Sequence, residues 1–332
     1  MKGRPRLAAL GAGVFAALLL LIVALPDEGP VVTVDIPAGA TLPRVAEILD
    51  SAGVVGSAGL FHAYVRLRRA DRELKAGTYD LPTRTSMRDA LRRLTRGEVQ
   101  TVALTIPEGF QLQQIAPRIA ELSSSSEDDV RALLDDPGLW ERHGVPGPSL
   151  EGYLFPDTYR FARGVPAEAV VDAMVARYQE IWTPERRALL DATDMTEREV
   201  VTLASIIQAE ARQIDEMPRI SGVYHNRLDS GWLLQADPTV LYALGGYRER
   251  LLYAAIDSVE DSPYNTYSSR GLPPGPIGSP GALAIDAALD PEVHEFMYFV
   301  AWPDGSHVFT NSLADHNAAK EDARQARESM GS

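Results

Sequence analysis

Leu7–Leu25 runs for 19 positions without a charged residue, and nothing else in the chain constrains its topology as strongly. About 20 such residues carry a helix across a bilayer. Lys2, Arg4 and Arg6 precede the run, and Asp27 and Glu28 follow it. Basic residues stay on the cytoplasmic side of a span, so residues 1–6 read as a cytoplasmic tail and 7–25 as a single-pass anchor, with the remainder outside. A cleaved signal peptide is the competing reading. The run exceeds the usual apolar region of a signal, and no clear Ala-x-Ala site follows, so a retained anchor is expected.

Beyond the anchor the chain is acidic. The formal charge is −14 and the pI about 4.9, and the three basic residues of the tail lie on the other side of the span. That balance excludes a nucleic-acid binder and repels anionic surfaces. With no cysteine, disulfides and thiol chemistry are excluded, while location is left undecided.

The pattern from Val31 onward mixes strands and helices. Val31–Ile36 alternates like a strand, and Thr41 is placed to cap a helix running to about Ser51. Val34-Asp-Ile-Pro-Ala-Gly returns 70 residues later as Leu104-Thr-Ile-Pro-Glu-Gly, which predicts two strand–turn–helix units. Between them, Phe61–Arg69 reads as a helix, Gly77–Leu81 as a strand, and Ser86–Thr95 as a helix closed by Gly97. Ser123–Asp129 reads as a surface loop or helix entry. Two helices follow in Pro166–Ala192, broken at Thr183-Pro184, and Thr196-Glu-Arg-Glu199 is a capping box opening the next. Phe296–Trp302 and His307–Thr310 form a hairpin about Pro303–Ser306, and the last residues from Asp315 are helical. There is no strict βαβ rhythm, so the fold class is α+β.

On the helix opened at Thr196, about 100° per residue puts Val200, Leu203, Ala204, Ile207 and Ala211 on one buried face. Glu210 falls on the flank of that stripe, between Ile206 and Ile207. A carboxylate there is partly desolvated, which favours the protonated form that a general acid needs in glycosidic cleavage. The plainer alternative is a rim carboxylate paired with Arg212 or Arg219. Other polar and aromatic clusters are Leu150–Tyr159, containing Glu151, Asp157 and Tyr159; Gln235-Ala-Asp-Pro-Thr239; and Tyr264-Asn-Thr-Tyr267 leading into the Pro/Gly stretch Gly271–Gly281. Flat rings beside amides and carboxylates suit sugars. Asp157 and Asp237 could equally be turn caps, and the Pro/Gly stretch a stiff connector or a polyproline ligand for a partner. The six histidines are dispersed without metal-ligand spacing, Gly-x-Ser-x-Gly does not occur, and the glycines lack the lysine of a phosphate loop. No metal and no cofactor are expected.

Taken together, these segments resemble the endolytic murein transglycosylases. The resemblance rests on Leu150–Tyr159, Ala204-Ser-Ile-Ile-Gln-Ala-Glu-Ala211, Gln235–Tyr242, Tyr264–Tyr267, Gly271–Ile277, Asp304-Gly-Ser-His-Val-Phe309 and His316-Asn317. It implies a LysM-like module over residues 31–100 and a transglycosylase domain over 101–332, on the outer side of a bacterial cytoplasmic membrane. It also implies cleavage of the bond between N-acetylmuramic acid and N-acetylglucosamine to leave a 1,6-anhydro end, and work beside peptidoglycan synthases on nascent strands. The family's catalytic glutamate falls on Glu210. Many relatives carry a second glutamate where this chain has Gln208, which points about 200° away on the helix, so activity is expected to survive the difference. Glu151, Asn265 and Tyr267 are expected to hold the sugar and its N-acetyl group, with Asp157, Tyr159, Gln235, Asp237 and Thr239 completing the substrate-binding set. A hydrolytic muramidase and a non-catalytic wall-binding scaffold are the rivals.

Overall fold

A computed structural model describes residues 28–145, 149–246 and 253–330. The expected tail and anchor lie outside these residues. No helix among the described residues is long and apolar enough to cross a membrane. The described chain divides into two compact units, one formed by the residues up to Ala103 with Arg160–Val165, the other by Leu104–Tyr159 and Pro166 onward.

The first unit is built on an antiparallel pair, β1 (Val31–Ile36) and β2 (Gly77–Pro82), in which Val34 faces Tyr79 and Ile36 faces Gly77. Period-two alternation turns Val34 and Ile36 inward and Thr33 and Asp35 outward. Two helices connect the strands, α1 (Leu42–Ser51) and α2 (Ala58–Arg68), and α3 (Met87–Arg96) follows β2. Leu49, Phe61, Val65, Tyr79 and Leu94 close a core of their own. Helix α2 begins three residues before the predicted Phe61, because the Ser57 hydroxyl accepts from the Leu60 amide at 3.4 Å. Thr41 occupies the N-cap of α1, but its hydroxyl makes no capping bond, and Pro43 in the first turn sets the entry instead. Gly97 closes α3 at φ 72°, a left-handed conformation that glycine adopts without steric cost.

The division between units runs through β3 (Thr101–Thr105) and β4 (Thr158–Ala162), which pair with each other. The second unit carries α4 (Leu112–Ser123), α5 (Glu127–Leu134), α6 (Pro137–Arg142), α7 (Ala167–Ile181), α8 (Pro184–Asp191) and α9 (Glu197–Glu210). After a short 3₁₀ turn at Ile214–Glu216 come α10 (Met217–Asp229), α11 (Asp237–Ala243), α12 (Tyr253–Asp257) and α13 (Ala282–Leu289). A hairpin of β5 (Tyr298–Ala301) and β6 (His307–Thr310) precedes α14 (Leu313–Met330). The predicted internal echo is present as β1–turn–α1 and β3–turn–α4, with Gly39 and Gly109 at φ 74° and 76° in the two turns. Ser123–Asp129 resolves as a helix entry, with Ser126 capping α5. The result is mixed α+β.

Helix α9 is the axis of the second core. Every residue from Val200 to Ile207 is buried, and α10 and α13 pack against it. Its capping box is complete: the Thr196 amide donates to Glu199 at 2.8 Å, and the Glu199 amide donates to Thr196 Oγ1 at 3.3 Å. The Pro/Gly stretch is neither a connector nor an exposed ligand. Residues 275–281 are buried, with the Ile277 amide donating to Ser205 Oγ at 3.0 Å and the Gly281 amide to Gln208 Oε1 at 3.0 Å. Gln208 therefore points away from Glu210, as its place on the helix requires, and ties α9 to this strut.

Candidate active site

Glu210 is the last residue of α9, where the chain leaves the helix through Ala211 in extended conformation. Its carboxylate meets neither Arg212 nor Arg219; Arg219 pairs with Glu292 at 2.9 Å. Its partner is Tyr224 on α10, whose hydroxyl donates to Glu210 Oε1 at 2.9 Å. The Tyr224 ring is fully buried, edge-on to Phe299 with centroids 5.8 Å apart. One turn along α10, Arg227 is 7% exposed, and its Nε donates to the Met297 carbonyl at 2.8 Å.

The electrostatics follow from this placement. Burial pushes the Glu210 carboxyl up to about 7; the Tyr224 hydrogen bond holds it down, Asp237 pushes it up, and Arg227 holds it down, in decreasing order of weight. The α9 C-terminus, the negative end of the helix dipole, adds to the upward push. Near neutral pH the group is thus divided between acid and carboxylate, as a residue that must first give and then take a proton requires.

Glu210, Gln235, Asp237 and Tyr267 line one cleft of about 800 Å³, together with Arg227, Tyr298, His307, His316 and Lys320. Two sequence segments zipped together build this wall. The Gln235 amide donates to the Thr266 carbonyl at 3.0 Å, and the Ala236 amide to Thr266 Oγ1 at 2.9 Å. Thr239 and Thr266 hydroxyls meet at 2.9 Å, and Asn265 Nδ2 donates to the carbonyls of Ile256 and Val259 at 3.0 and 3.2 Å. The Tyr267 hydroxyl then donates to Asp237 Oδ1 at 2.5 Å. Gln235 sits at φ 48°, a strained left-handed backbone for a non-glycine residue, on the cleft wall.

The expected set therefore divides. Glu210, Gln235, Asp237 and Tyr267 share the cleft. Thr239 and Asn265 are buried behind it, and their hydrogen-bonding groups hold the wall in place. Glu151, Asp157 and Tyr159 lie elsewhere in the same unit. Glu151 is 5% exposed and accepts from the Leu112 amide at the start of α4 at 3.2 Å, with the Tyr242 hydroxyl at 3.4 Å. Burial pushes its carboxyl up to about 7 as well. Asp157 pairs with Arg177 at 2.9 Å and accepts from the Thr158 amide at 2.7 Å, and the Tyr159 hydroxyl donates to the Phe155 carbonyl at 2.6 Å. Tyr224, Arg227, Tyr298 and Lys320 line or support the cleft without having been singled out in sequence, since each sits in an ordinary helical or strand pattern. His307 meets Glu216 at 2.8 Å through Nδ1, and His316 stacks on Tyr298. No cluster of three or more metal-ligating side chains occurs among the described residues.

Comparison with known proteins agrees over most of the chain. The description of the YceG-like family matches residues 34–322. A Bacillus subtilis protein named endolytic murein transglycosylase is 35% identical over 314 residues, covering 89% of this chain and 85% of its own. A protein of the same name from Streptococcus pneumoniae is 31% identical, covering 86% of this chain and 57% of its own longer one. The crystal structure of a YceG-like protein from Listeria monocytogenes superposes with a TM-score of 0.61 at 34% identity, covering 88% of this chain and 99% of that one. A glutamate poised near neutrality at the end of a buried helix, facing a cleft of carboxylate, amide and phenol groups, is thus set in a chain that belongs to the YceG-like family.

Proposed function

We propose that this chain is an endolytic murein transglycosylase, cutting N-acetylmuramic acid–N-acetylglucosamine bonds within glycan strands. The observation that carries the reading is Glu210, desolvated to a pKa of about 7 on a cleft of about 800 Å³ that it shares with Gln235, Asp237 and Tyr267. Protonated Glu210 gives its proton to the glycosidic oxygen as the C1–O bond breaks, releasing the N-acetylglucosamine hydroxyl. The Glu210 carboxylate then takes the proton of the muramyl C6 hydroxyl as that oxygen bonds to C1. The acid is regenerated, a 1,6-anhydro end is left, and no water is consumed. Because the nucleophile belongs to the same sugar, proximity replaces a positioned water. Tyr267, Asp237 and Gln235, which line the same cleft, orient the ring.

Asp237 gives one specific reason to keep the hydrolytic reading as a second. Two carboxylates on one cleft are what a muramidase uses, with water entering at C1. Its short bond from Tyr267 favours an orienting role instead. Incubating the full chain with uncrosslinked strands and weighing the products separates the two, since an anhydro end is lighter by one water. Wild-type chain is expected to give anhydro ends. Glu210→Gln, which keeps the shape and loses the proton, is expected to lower the rate about a hundredfold to ten-thousandfold. Full activity in that variant removes Glu210 from the mechanism.

The apolar run at 7–25 supports a single-pass anchor that holds the cleft on the outer face of a bacterial cytoplasmic membrane. The small, separately cored first unit supports a LysM-like, glycan-binding reading of residues 31–100. Strand trimming beside peptidoglycan synthases is the setting in which an anchored endolytic enzyme meets nascent glycan.

A further inference from the structure

On the β5–β6 side the cleft wall becomes aromatic. Tyr298 and His316 line it, their rings stacked with centroids 5.1 Å apart and planes 25° from parallel. One ring further along is Trp232, edge-to-face with Tyr298 at 6.0 Å. Trp232 is 44% exposed, in a chain that buries Trp182 to 7%. An exposed indole forgoes much of the stabilisation that burying a large apolar side chain supplies.

Nor is this tryptophan loosely held. It follows Gly231, which sits at φ 66°, and its amide donates to the Arg227 carbonyl at 2.8 Å. Arg270 donates to the Gly231 carbonyl. The buried Arg227 guanidinium donates to the carbonyls of Leu234 and Met297, clamping the Trp232 loop to the start of the hairpin, and lies 5.8 Å from the Tyr298 ring centre. Backbone hydrogen bonds and a buried cation thus hold an open indole next to the catalytic cleft. A strand of alternating amino sugars offers the matching surface: pyranose C–H faces that lie flat on rings, with hydroxyl and acetamido groups free at the edges. Flat, rigid side chains meet such a face at low entropic cost.

We propose that Trp232 and Tyr298, backed by His316, form a stacking subsite for an amino-sugar ring of the glycan strand that lies away from the bond being cut. This rests on the transglycosylase reading of Glu210, and the experiment separates the two. Full-length Glu210→Gln is titrated with uncrosslinked strands, with and without Trp232→Ala. The indole is expected to matter about tenfold in Kd, the change that 1.4 kcal/mol makes. Trp232→Phe, which keeps a flat ring, is expected to recover most of that. In the active chain, Trp232→Ala is expected to act on KM and on the length of the products rather than on kcat. Equal strand affinity with and without the indole overturns the subsite. So does a loss of binding to anionic phospholipid vesicles with strand affinity unchanged, which makes Trp232 a membrane contact instead. Trp232-dependent binding by a wild-type chain that never cuts strands keeps the subsite and removes the transglycosylase reading.

Discussion

Glu210 shows how far one residue can be read from sequence and where the reading stops. Its place on the flank of an apolar stripe was legible, because helical periodicity fixes which side chains are desolvated. Its partner was not. Tyr224 lies 14 residues downstream on another helix, and the apolar pattern around it gives no sign that its hydroxyl faces a carboxylate. Two substitutions test how the pair is tuned. Tyr224→Phe removes a hydrogen bond that favours the charged form, so the Glu210 pKa should rise. Cleavage begins from the protonated acid, so kcat/KM of wild type is expected to fall as pH passes about 7, and in Tyr224→Phe that fall should move to higher pH. Asp237→Asn removes a charge that raises the pKa, so the fall should move to lower pH. A pH–rate profile unchanged in both variants would exclude Glu210 as the titrating acid.

At the scale of elements, most of the second unit was legible: the capping box at Thr196, the break at Thr183-Pro184 and the hairpin after Phe296 all follow from local chemistry. What sequence left open was which neighbours a segment meets. Gly271–Gly281 was legible as stiff, but its burial against α9 depends on hydrogen bonds from Ile277 and Gly281 to residues 72 and 73 positions earlier. Glu151 was read as a sugar ligand because it sits among tyrosines; the structure uses it at the start of α4, a contact made across 39 residues. The same lesson applies to Gly222 inside α10, where helix propensity alone argues for alanine. An added Cβ there would lie 2.3 Å from the Glu292 carbonyl oxygen and 2.6 Å from His294 Nε2. Gly222→Ala is therefore expected to destabilise by about 1–3 kcal/mol, as overpacking does, rather than to stabilise. A urea titration of the variant measures the sign directly; a gain in stability refutes the close approach of α10 to the Glu292–His294 segment.

At the scale of the whole molecule, the described residues form two hydrophobic cores, one around Phe61 and Tyr79 and one around α9, with no core residue in common. Separate cores predict two unfolding transitions, and their pH dependence should differ. Among the described residues, the carboxyls raised to about 7, Glu151 and Glu210, belong to the second unit. A carboxyl whose folded pKa lies above its unfolded value keeps its proton longer in the folded chain. Its favourable contribution is complete below the ordinary value of 4.5 and is lost as pH rises through about 7. His316, held low chiefly by burial, acts in the opposite sense and offsets part of this. In the first unit, Tyr79 is raised to about 12 and the exposed Asp80 is lowered, so neither changes state between pH 5 and 8. Calorimetry of the full chain at pH 5, 6.5 and 8 should show one transition falling in Tm with pH while the other stays in place. Glu151→Gln keeps the shape of the α4 contact and removes the charge. It should flatten the moving transition and, at pH 8, raise it, by an amount up to roughly 3 kcal/mol for the loss of one such buried charge. Two transitions that move together would show that the units unfold as one. A moving transition untouched by Glu151→Gln would assign its pH dependence to Glu210, whose own neutralisation by Glu210→Gln should then flatten it.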